Sequence, residues 1–505
     1  MLGSIKATVK DTVIYGFGNI AVKVVGLILI PIYTNPKFFT IEDFGIIGLL
    51  DISALLLTAL LTVSLPQSFT RWYWDKDYVK NQKGIFFMAL VSQIIVASLA
   101  CLILTPLSPF FSKLLFQTSD WSRVISLVII SSALQVLNNM INTLMRLQSK
   151  SSLYTFINIL KLVIVLPLTL WLILRRHMGI EGIYLAQVVG NILFIVFLSV
   201  YTIRNCRIYF ERKVYKDMSV YGFPLFLSGV AAVLLNVIDR YSLNTWSVLK
   251  NVALYTLAYK ISNVLKLVLV DSINKSILPA FLKKMDSPDN KRFYSKILLY
   301  TSFVVMFSIV GLSMFSYEIT KVISKSTQFW DAVVIIPVLG LSVFFINMKE
   351  VMIYGLHIAK KTRIISTIVV VATVLNLVLN MILIPVWEIK GAAAATFISQ
   401  IFYWFSCYYY AQKAFFIPYE TRKLVMLFIT GSILTFSSLL INGMNLAPRL
   451  IIKAALVIGF PFILYLFNFY DKVEIDSIKG FISKWSNLKN FRSNLKSLGE
   501  IGDDY

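Results

Sequence analysis

Charge is what this chain lacks. Only 14% of its 505 residues are Asp, Glu, Lys or Arg, against about 25% in an ordinary soluble domain. The deficit runs from end to end, which excludes a soluble domain carried on a single anchor. Histidine is nearly missing. His177 and His357 are the only two, too few for a multi-histidine metal site. Cys101, Cys206 and Cys407 are the only cysteines, and their wide spacing offers neither a metal cluster nor a disulfide framework. There is no Walker loop and no nucleotide-binding glycine pattern, so ATP-driven pumping by this chain alone is not expected, nor is any cofactor. A cleavable signal is also not evident, because the first apolar stretch is long enough to span and no small-residue cleavage site follows it.

What the chain has is apolar length. Hydrophobic residues make up 58% of it, and runs of roughly 20 recur throughout, each enough to cross a hydrocarbon core of about 30 Å. In lipid every backbone polar group must be satisfied within the protein. A β-barrel would show short alternating segments, whereas these runs are continuous. The expected fold is an all-α polytopic membrane protein with about 14 transmembrane helices, set in two pseudo-symmetric six-helix lobes plus a C-terminal pair.

The runs fall near 12–34, 43–64, 84–106, 122–144, 153–175 and 180–203, then 218–240, 252–275, 296–316, 330–356, 362–385 and 391–411. A last pair lies near 424–441 and 449–467. The domain expectation is an N-terminal lobe over 1–203, a linker over 204–217 and a second lobe over 218–411. The last helices follow within 412–467, and a basic tail over 468–505.

The net charge of +23 would suggest nucleic acid in a soluble protein. Here most Lys and Arg fall in the loops on one side, for example Arg204, Arg207, Arg212, Lys213 and Lys216. That is the positive-inside pattern, so no nucleic-acid partner is expected and both termini are placed in the cytoplasm.

An internal repeat supports the two lobes. Tyr15-Gly16-Phe17 opens the first helix and Tyr221-Gly222-Phe223 the seventh. An offset of 209 aligns Asp51-Ile52-Ser53 with Lys260-Ile261-Ser262, Ile180-Glu181-Gly182 with Ile389-Lys390-Gly391, and Ala186 with Ala395. Six spans separate the copies, so they share orientation, and transporters often place the substrate path between such halves.

Ionisable residues inside spans mark candidate sites. Lys23 lies mid-way along the first helix, with Asn19 one turn before it, and Lys161 lies in the fifth near Asn158. On a regular helix Thr256, Lys260, Asn263, Asp271, Asn274 and Lys275 share a sector of about 120°, with Lys266 outside it. Gln135, Asn138, Asn139, Asn142 and Arg146 share a face of the fourth helix, and the seventh ends in Asn236, Asp239 and Arg240. Such stripes read as an aqueous lumen or as hydrogen-bonding glue between helices. Snorkelling explains Lys275 and Arg146 as well as a lumen does. The deep charges are mostly cationic, with Asp51 the main exception, so the lumen favours anions such as phosphate, pyrophosphate or acidic sugars.

The order of spans, Tyr15-Gly16, Pro31, the segment Ile41-Glu42-Asp43-Phe44-Gly45 read as a loop, and Val252-Ala253-Leu254-Tyr255-Thr256-Leu257-Ala258-Tyr259 opening the eighth helix carry a family resemblance. The chain resembles the bacterial polysaccharide transporters, the O-antigen or exopolysaccharide flippases of the multidrug/oligosaccharidyl-lipid/polysaccharide exporter superfamily. The resemblance implies two lobes around a central cavity and movement of an undecaprenyl-pyrophosphate-linked oligosaccharide across the inner membrane by alternating access. The positions matching that family's cationic lumen are Lys23, Lys161, Lys260 and Lys266, with Arg240.

The expected substrate site is therefore Lys23, Lys161, Lys260, Lys266, Arg240, Asn139, Asn142 and Asn263, with Asp51 or Asp271 for ion coupling and no metal site. Expected partners are the lipid-linked oligosaccharide and membrane lipids, with a polysaccharide polymerase or glycosyltransferase suggested by analogy. Three readings stay open beside this one. They are a small-molecule exporter of the same fold, a peptidoglycan-precursor flippase, and a membrane scaffold for glycan synthesis. The multidrug branch commonly has an acid in the first helix. This chain has Lys23 there.

Overall fold

A computed structural model describes Gly26, residues 28–274, Phe281, residues 287–359 and residues 361–476. Lys23, Asn19, Lys275 and the tail beyond Asp476 lie outside the described residues. Within them every regular element is a helix.

The end of the first span is α1 (Ile30–Tyr33). The other spans of the first lobe are α2 (Ile41–Thr62), α3 (Gln82–Leu104), α4 (Ser122–Leu147), α5 (Ser151–Leu174) and α6 (Gly179–Phe197). The second lobe has α7 (Arg212–Trp246), α8 (Leu249–Asn274), α9 (Asn290–Met314) and α10 (Ile336–Met352). Thr362–Ala414 then runs as 53 residues of helix, broken at Glu388 into α11 (362–387) and α12 (389–414). The final pair is α13 (Thr421–Ile441) and α14 (Leu446–Leu466). Twelve helices among the described residues are long and apolar enough to span, and the broken one counts twice. That makes 13 among the described residues, in keeping with the expected total of about 14.

Several boundaries differ from the sequence expectation for local reasons. Ile41–Gly45 is the first turn of α2 and not a loop. Thr40 Oγ1 accepts from Asp43 N at 3.0 Å, and Asp43 Oδ2 accepts from Thr40 N at 2.8 Å. That reciprocal cap starts the helix early. α7 continues to Trp246, so Asn236, Asp239 and Arg240 sit inside it and not at its end. At Glu388 the backbone turns left-handed (φ 47°), and its Oε2 accepts from Asn251 Nδ2 at 3.0 Å, tying this hairpin to the start of α8. α8 itself makes a π-turn over Lys266–Val270. The extra residue per turn shifts Asp271 and Asn274 out of the regular register assumed for the polar stripe.

The lobes meet along a seam between α2 and α8. Gly45 faces the backbone of Leu249, where a Cβ would come within 2.5 Å of the carbonyl oxygen, and Gly48 faces the Thr256 hydroxyl equally closely. Small residues let the two helix backbones approach. Tyr241 of α7 also bonds Ser53 of α2 (2.8 Å).

The last two helices are fastened to α9. On one side of the membrane Lys453 and Arg449 of α14 pair with Glu318, which follows α9, at 2.8 Å each. On the other, Lys296 of α9 contacts Glu420, Asp471 and Glu474 (2.8, 2.6 and 3.2 Å), and Lys423 of α13 contacts Glu420 and Asp471 (2.9 and 2.7 Å). Between these ends Phe303 stacks on Phe460.

Candidate functional site

Residues of both lobes line a cavity of about 340 Å³ just inside the seam. Tyr33, Asp51, Gln135, Asn158, Lys161 and Gln187 line it from the first lobe, and Lys260 reaches in from the second.

Lys161 is half-buried mid-way along α5. Gly190 of α6 lets α5 approach closely, since a Cβ there would overlap Val165 one turn beyond Lys161. The Lys161 ammonium donates to Gln135 Oε1 (3.1 Å) and Asn191 Oδ1 (2.5 Å), and lies 5.8 Å from the Phe194 ring centre. Asn191 is fixed in turn. Its Nδ2 donates to the Ser131 carbonyl (3.1 Å), and its Oδ1 also accepts from Asn138 Nδ2 (2.9 Å). Every hydrogen-bond partner of this ammonium among the described residues is a neutral amide oxygen, so its charge is solvated but not cancelled. Asn139 and Asn142 stand one step back. Asn139 Oδ1 accepts from Gln135, and Asn142 Oδ1 accepts from Asn158 (3.0 and 3.2 Å). They brace two lining residues and are not in the lining themselves.

Lys260 contacts Asp51 across the lobes at 3.1 Å. These are the residues that the 209-residue offset made equivalent, and they face each other where the copies meet. Tyr184 donates to the other Asp51 oxygen at 3.1 Å and to the Ile47 carbonyl at 3.2 Å. Sequence reasoning missed Tyr184 and Asn191, because neutral residues give no charge signal.

Arg240 is buried elsewhere, in the second lobe. Its guanidinium donates to the Asn236 carbonyl (2.7 Å) and lies 4.3 Å from the Tyr259 ring centre. No carboxylate pairs with it among the described residues. Its neighbour Asp239 is fully buried. Oδ2 of Asp239 accepts from Tyr255 (2.8 Å) and Thr396 (2.9 Å), and Oδ1 accepts from Asn380 Nδ2 (2.9 Å). Asn376 Oδ1 accepts from Asn380 as well, leaving Asn376 Nδ2 and Asn380 Oδ1 without partners. An isolated buried carboxylate is costly. This group of carboxylate, hydroxyl and amide oxygens has the hard-donor chemistry that an oxygen-seeking cation takes. A cleft of about 20 Å³ beside it is lined by Asn236, Asp239, Asn263 and Thr396. Asn263 therefore faces this cleft and not the Lys161 cavity. Lys266 and Asp271 lie farther along α8, in and just beyond the π-turn, and neither lines the cavity.

This is a two-lobed arrangement of membrane-spanning helices with charged interiors. The model of the family described as polysaccharide biosynthesis protein matches residues 8–285. The chain belongs to that family. No curated protein sequence matches it. Among solved structures, the lipid II flippase MurJ in an inward closed conformation is similar at TM-score 0.71 and 17% identity, over 91% of this chain and all of that one. An inward-facing multidrug resistance MATE transporter of the MOP superfamily is similar at TM-score 0.64 and 13% identity, over 82% of this chain and 95% of that one. A MOP-superfamily transporter from Pyrococcus furiosus, described as having a binding pocket of reversed polarity, is similar at TM-score 0.56 and 11% identity, over 84% and 96%. At these identities the likeness shows a shared fold.

Proposed function

We propose that this protein is a flippase in a bacterial inner membrane, with both termini cytoplasmic, that moves an undecaprenyl-pyrophosphate-linked oligosaccharide to the outer leaflet by alternating access. The observation that carries this reading is Lys161. It is a cation in the cavity, held by two neutral amides, with no carboxylate bonded to it among the described residues. A pyrophosphate supplies the missing negative charge. Gln135, Asn158 and Gln187 line the same space and offer amide groups to sugar hydroxyls.

Lys260 gives the binding event a mechanical consequence. A pyrophosphate beside Lys161 competes with Asp51 for Lys260, and losing that pair loosens the α2–α8 seam. Substrate then favours the seam-open state, as a ligand must if it is to shift a conformational equilibrium. The return step is assigned to a cation at Asp239, a better coupling candidate than Asp51. Asp51 already has a lysine partner, whereas Asp239 has only neutral donors.

The test is complementation of a strain deleted for this gene, scoring surface polysaccharide and trapped lipid-linked precursor, with wild type and Lys23→Ala, Lys161→Ala and Lys260→Ala at matched expression. Wild type restores the glycan, and the lysine variants leave precursor on the cytoplasmic leaflet. If the deletion loses no surface glycan and traps no precursor, the oligosaccharide assignment fails. The likeness to MurJ over 91% of the chain favours one second reading, a peptidoglycan precursor as cargo. Rescue of a strain depleted of its own lipid II flippase would select it.

A further inference from the structure

The segment joining the lobes has two unlike sides. Its inner side is bonded to the first lobe. Cys206, Tyr209 and Tyr215 pack against, and Val214 and Met218 belong to, an apolar cluster with Leu65, Phe69 and Leu144. Asn205 is held by Gln148 (2.8 Å), which also accepts from Tyr201 (2.8 Å). Its outer side presents Ile208 and Phe210 at 88% and 69% exposure, the Phe210 ring keeping one edge against Tyr215 at 6.0 Å between centroids. Arg204, Arg207, Arg212 and Lys213 are exposed around them.

The level of this segment in the membrane follows from one hydrogen bond. Arg207 N donates to the Lys83 carbonyl at 3.3 Å, in the first turn of α3. α3 has 23 residues, and at 1.5 Å each it is about 34 Å long, so one copy of the hydrocarbon core fills it. Arg207 therefore lies where α3 enters the headgroups. An exposed ridge of Val196, Val200 and Ile203 descends along α6 and the short helix after it, and leads directly to Ile208 and Phe210.

We infer that residues 204–213 form a membrane-seated strap, with Ile208 and Phe210 in the acyl boundary and Arg204, Arg207 and Arg212 on anionic phospholipid headgroups of the cytoplasmic leaflet. Apolar side chains framed by arginine at headgroup level match that surface in both polarity and charge. The strap is the covalent hinge between the lobes, and seating it on lipid fixes the first lobe while the second moves. The inference rests on the orientation proposed above and is independent of which substrate is carried.

The experiment uses the full chain with Cys101, Cys206 and Cys407 replaced by Ser and Phe210→Cys carrying an environment-sensitive fluorophore. Nanodiscs of phosphatidylcholine alone are compared with nanodiscs that also contain phosphatidylglycerol. A blue-shifted label protected from an aqueous quencher is expected when phosphatidylglycerol is present. In neutral detergent, Arg204→Gln with Arg207→Gln should weaken titrated phosphatidylglycerol by roughly tenfold or more. Arg204→Lys with Arg207→Lys should restore it, which separates charge from folding. A label equally open to quencher in both membranes overturns the inference. So does protection that appears only when a cytosolic protein fraction is added. Neither outcome affects the flippase assignment, which is read by glycan export.

Discussion

Lys161 in the first lobe and Asp239 in the second are alike in how they are held and opposite in charge. Each sits inside its lobe with hydrogen bonds from or to neutral side chains, amides around the lysine and two hydroxyls with an amide around the aspartate. Neither has an ion-pair partner among the described residues. Six-helix lobes of one design thus hold one unpaired cation and one unpaired carboxylate, the pair of sites that the proposed function assigns to an anionic cargo and a coupling cation. A charge left solvated but unpaired is ready for a ligand, whereas a paired one, such as Lys453 on Glu318, serves the scaffold. The surroundings also differ. The lysine opens on a cavity of about 340 Å³ and the aspartate on a cleft of about 20 Å³. Those sizes suit a bulky headgroup and a bare ion.

The largest expected effect comes from erasing one side of this contrast. Lys161→Met should lower glycan export by roughly tenfold or more, about 1.4 kcal/mol of lost discrimination, and Lys161→Glu should abolish it, both with normal insertion. The measurement is precursor accessibility in the two leaflets, and export unchanged by Lys161→Met would break the comparison. On the other side, Asp239→Leu strands Tyr255, Thr396 and Asn380, and should cost about 3 kcal/mol of stability, read as a lower melting temperature in detergent. Asp239→Asn keeps the packing, so it should melt near wild type while export loses its dependence on the cation gradient.

The seam sharpens the contrast by asking whether the two sites communicate. Gly45→Ala puts a methyl against the Leu249 backbone and should favour the seam-open state by roughly 1–3 kcal/mol. Asp51→Asn should do the same by about 1 kcal/mol or less, the pair being partly solvated. Distances between spin labels on α2 and α8 report both. Asp51→Lys combined with Lys260→Asp should restore the closed distance if the pair acts as a latch.

The smallest effect is predicted far from either site. Lys296 and Lys423 hold Asp471 below the usual carboxylate range, at about 2, by charged hydrogen bonds. A depressed carboxylate stabilises above its unfolded value and loses that contribution as pH falls toward its folded one. Melting should therefore be flat in this respect from pH 8 to about 5 and decline only in strong acid. Asp471→Asn should change stability by no more than about 0.5 kcal/mol at neutral pH, since the side chain is half exposed.

The architecture was legible in the sequence because lipid imposes length and continuity on every span. The repeat offset also pointed to Asp51 and Lys260 before their contact was known. Lys161 was legible for the same reason as both, since an ionisable group in a span stands out. Tyr184, Asn191, Asn380 and Thr396 were not, because neutral polar side chains serve equally as glue between helices. Asp239 was noticed yet misplaced at a helix end, where water would have solvated it. The Asn376–Asn380 spacing inside an apolar span, one helical turn, was the signal that would have flagged its surroundings. The polar stripe of α8 does not form one lining, since Lys260 faces the cavity and Asn263 the cleft, and the π-turn, which leaves no simple mark in composition, shifts Asp271 and Asn274 further.

The facing of Asp51 and Lys260 across the lobes has a consequence for ancestry. Two identical copies of a six-helix unit, assembled as a symmetric pair, would bring the same residue against itself at this point. Aspartate would meet aspartate, or lysine would meet lysine, and repel. The attractive contact exists only because the halves differ there, so each half now complements its sibling and neither complements itself. At a partly solvated pair the preference is about 1 kcal/mol or less, so this one position tilts each half toward its sibling and away from a copy of itself.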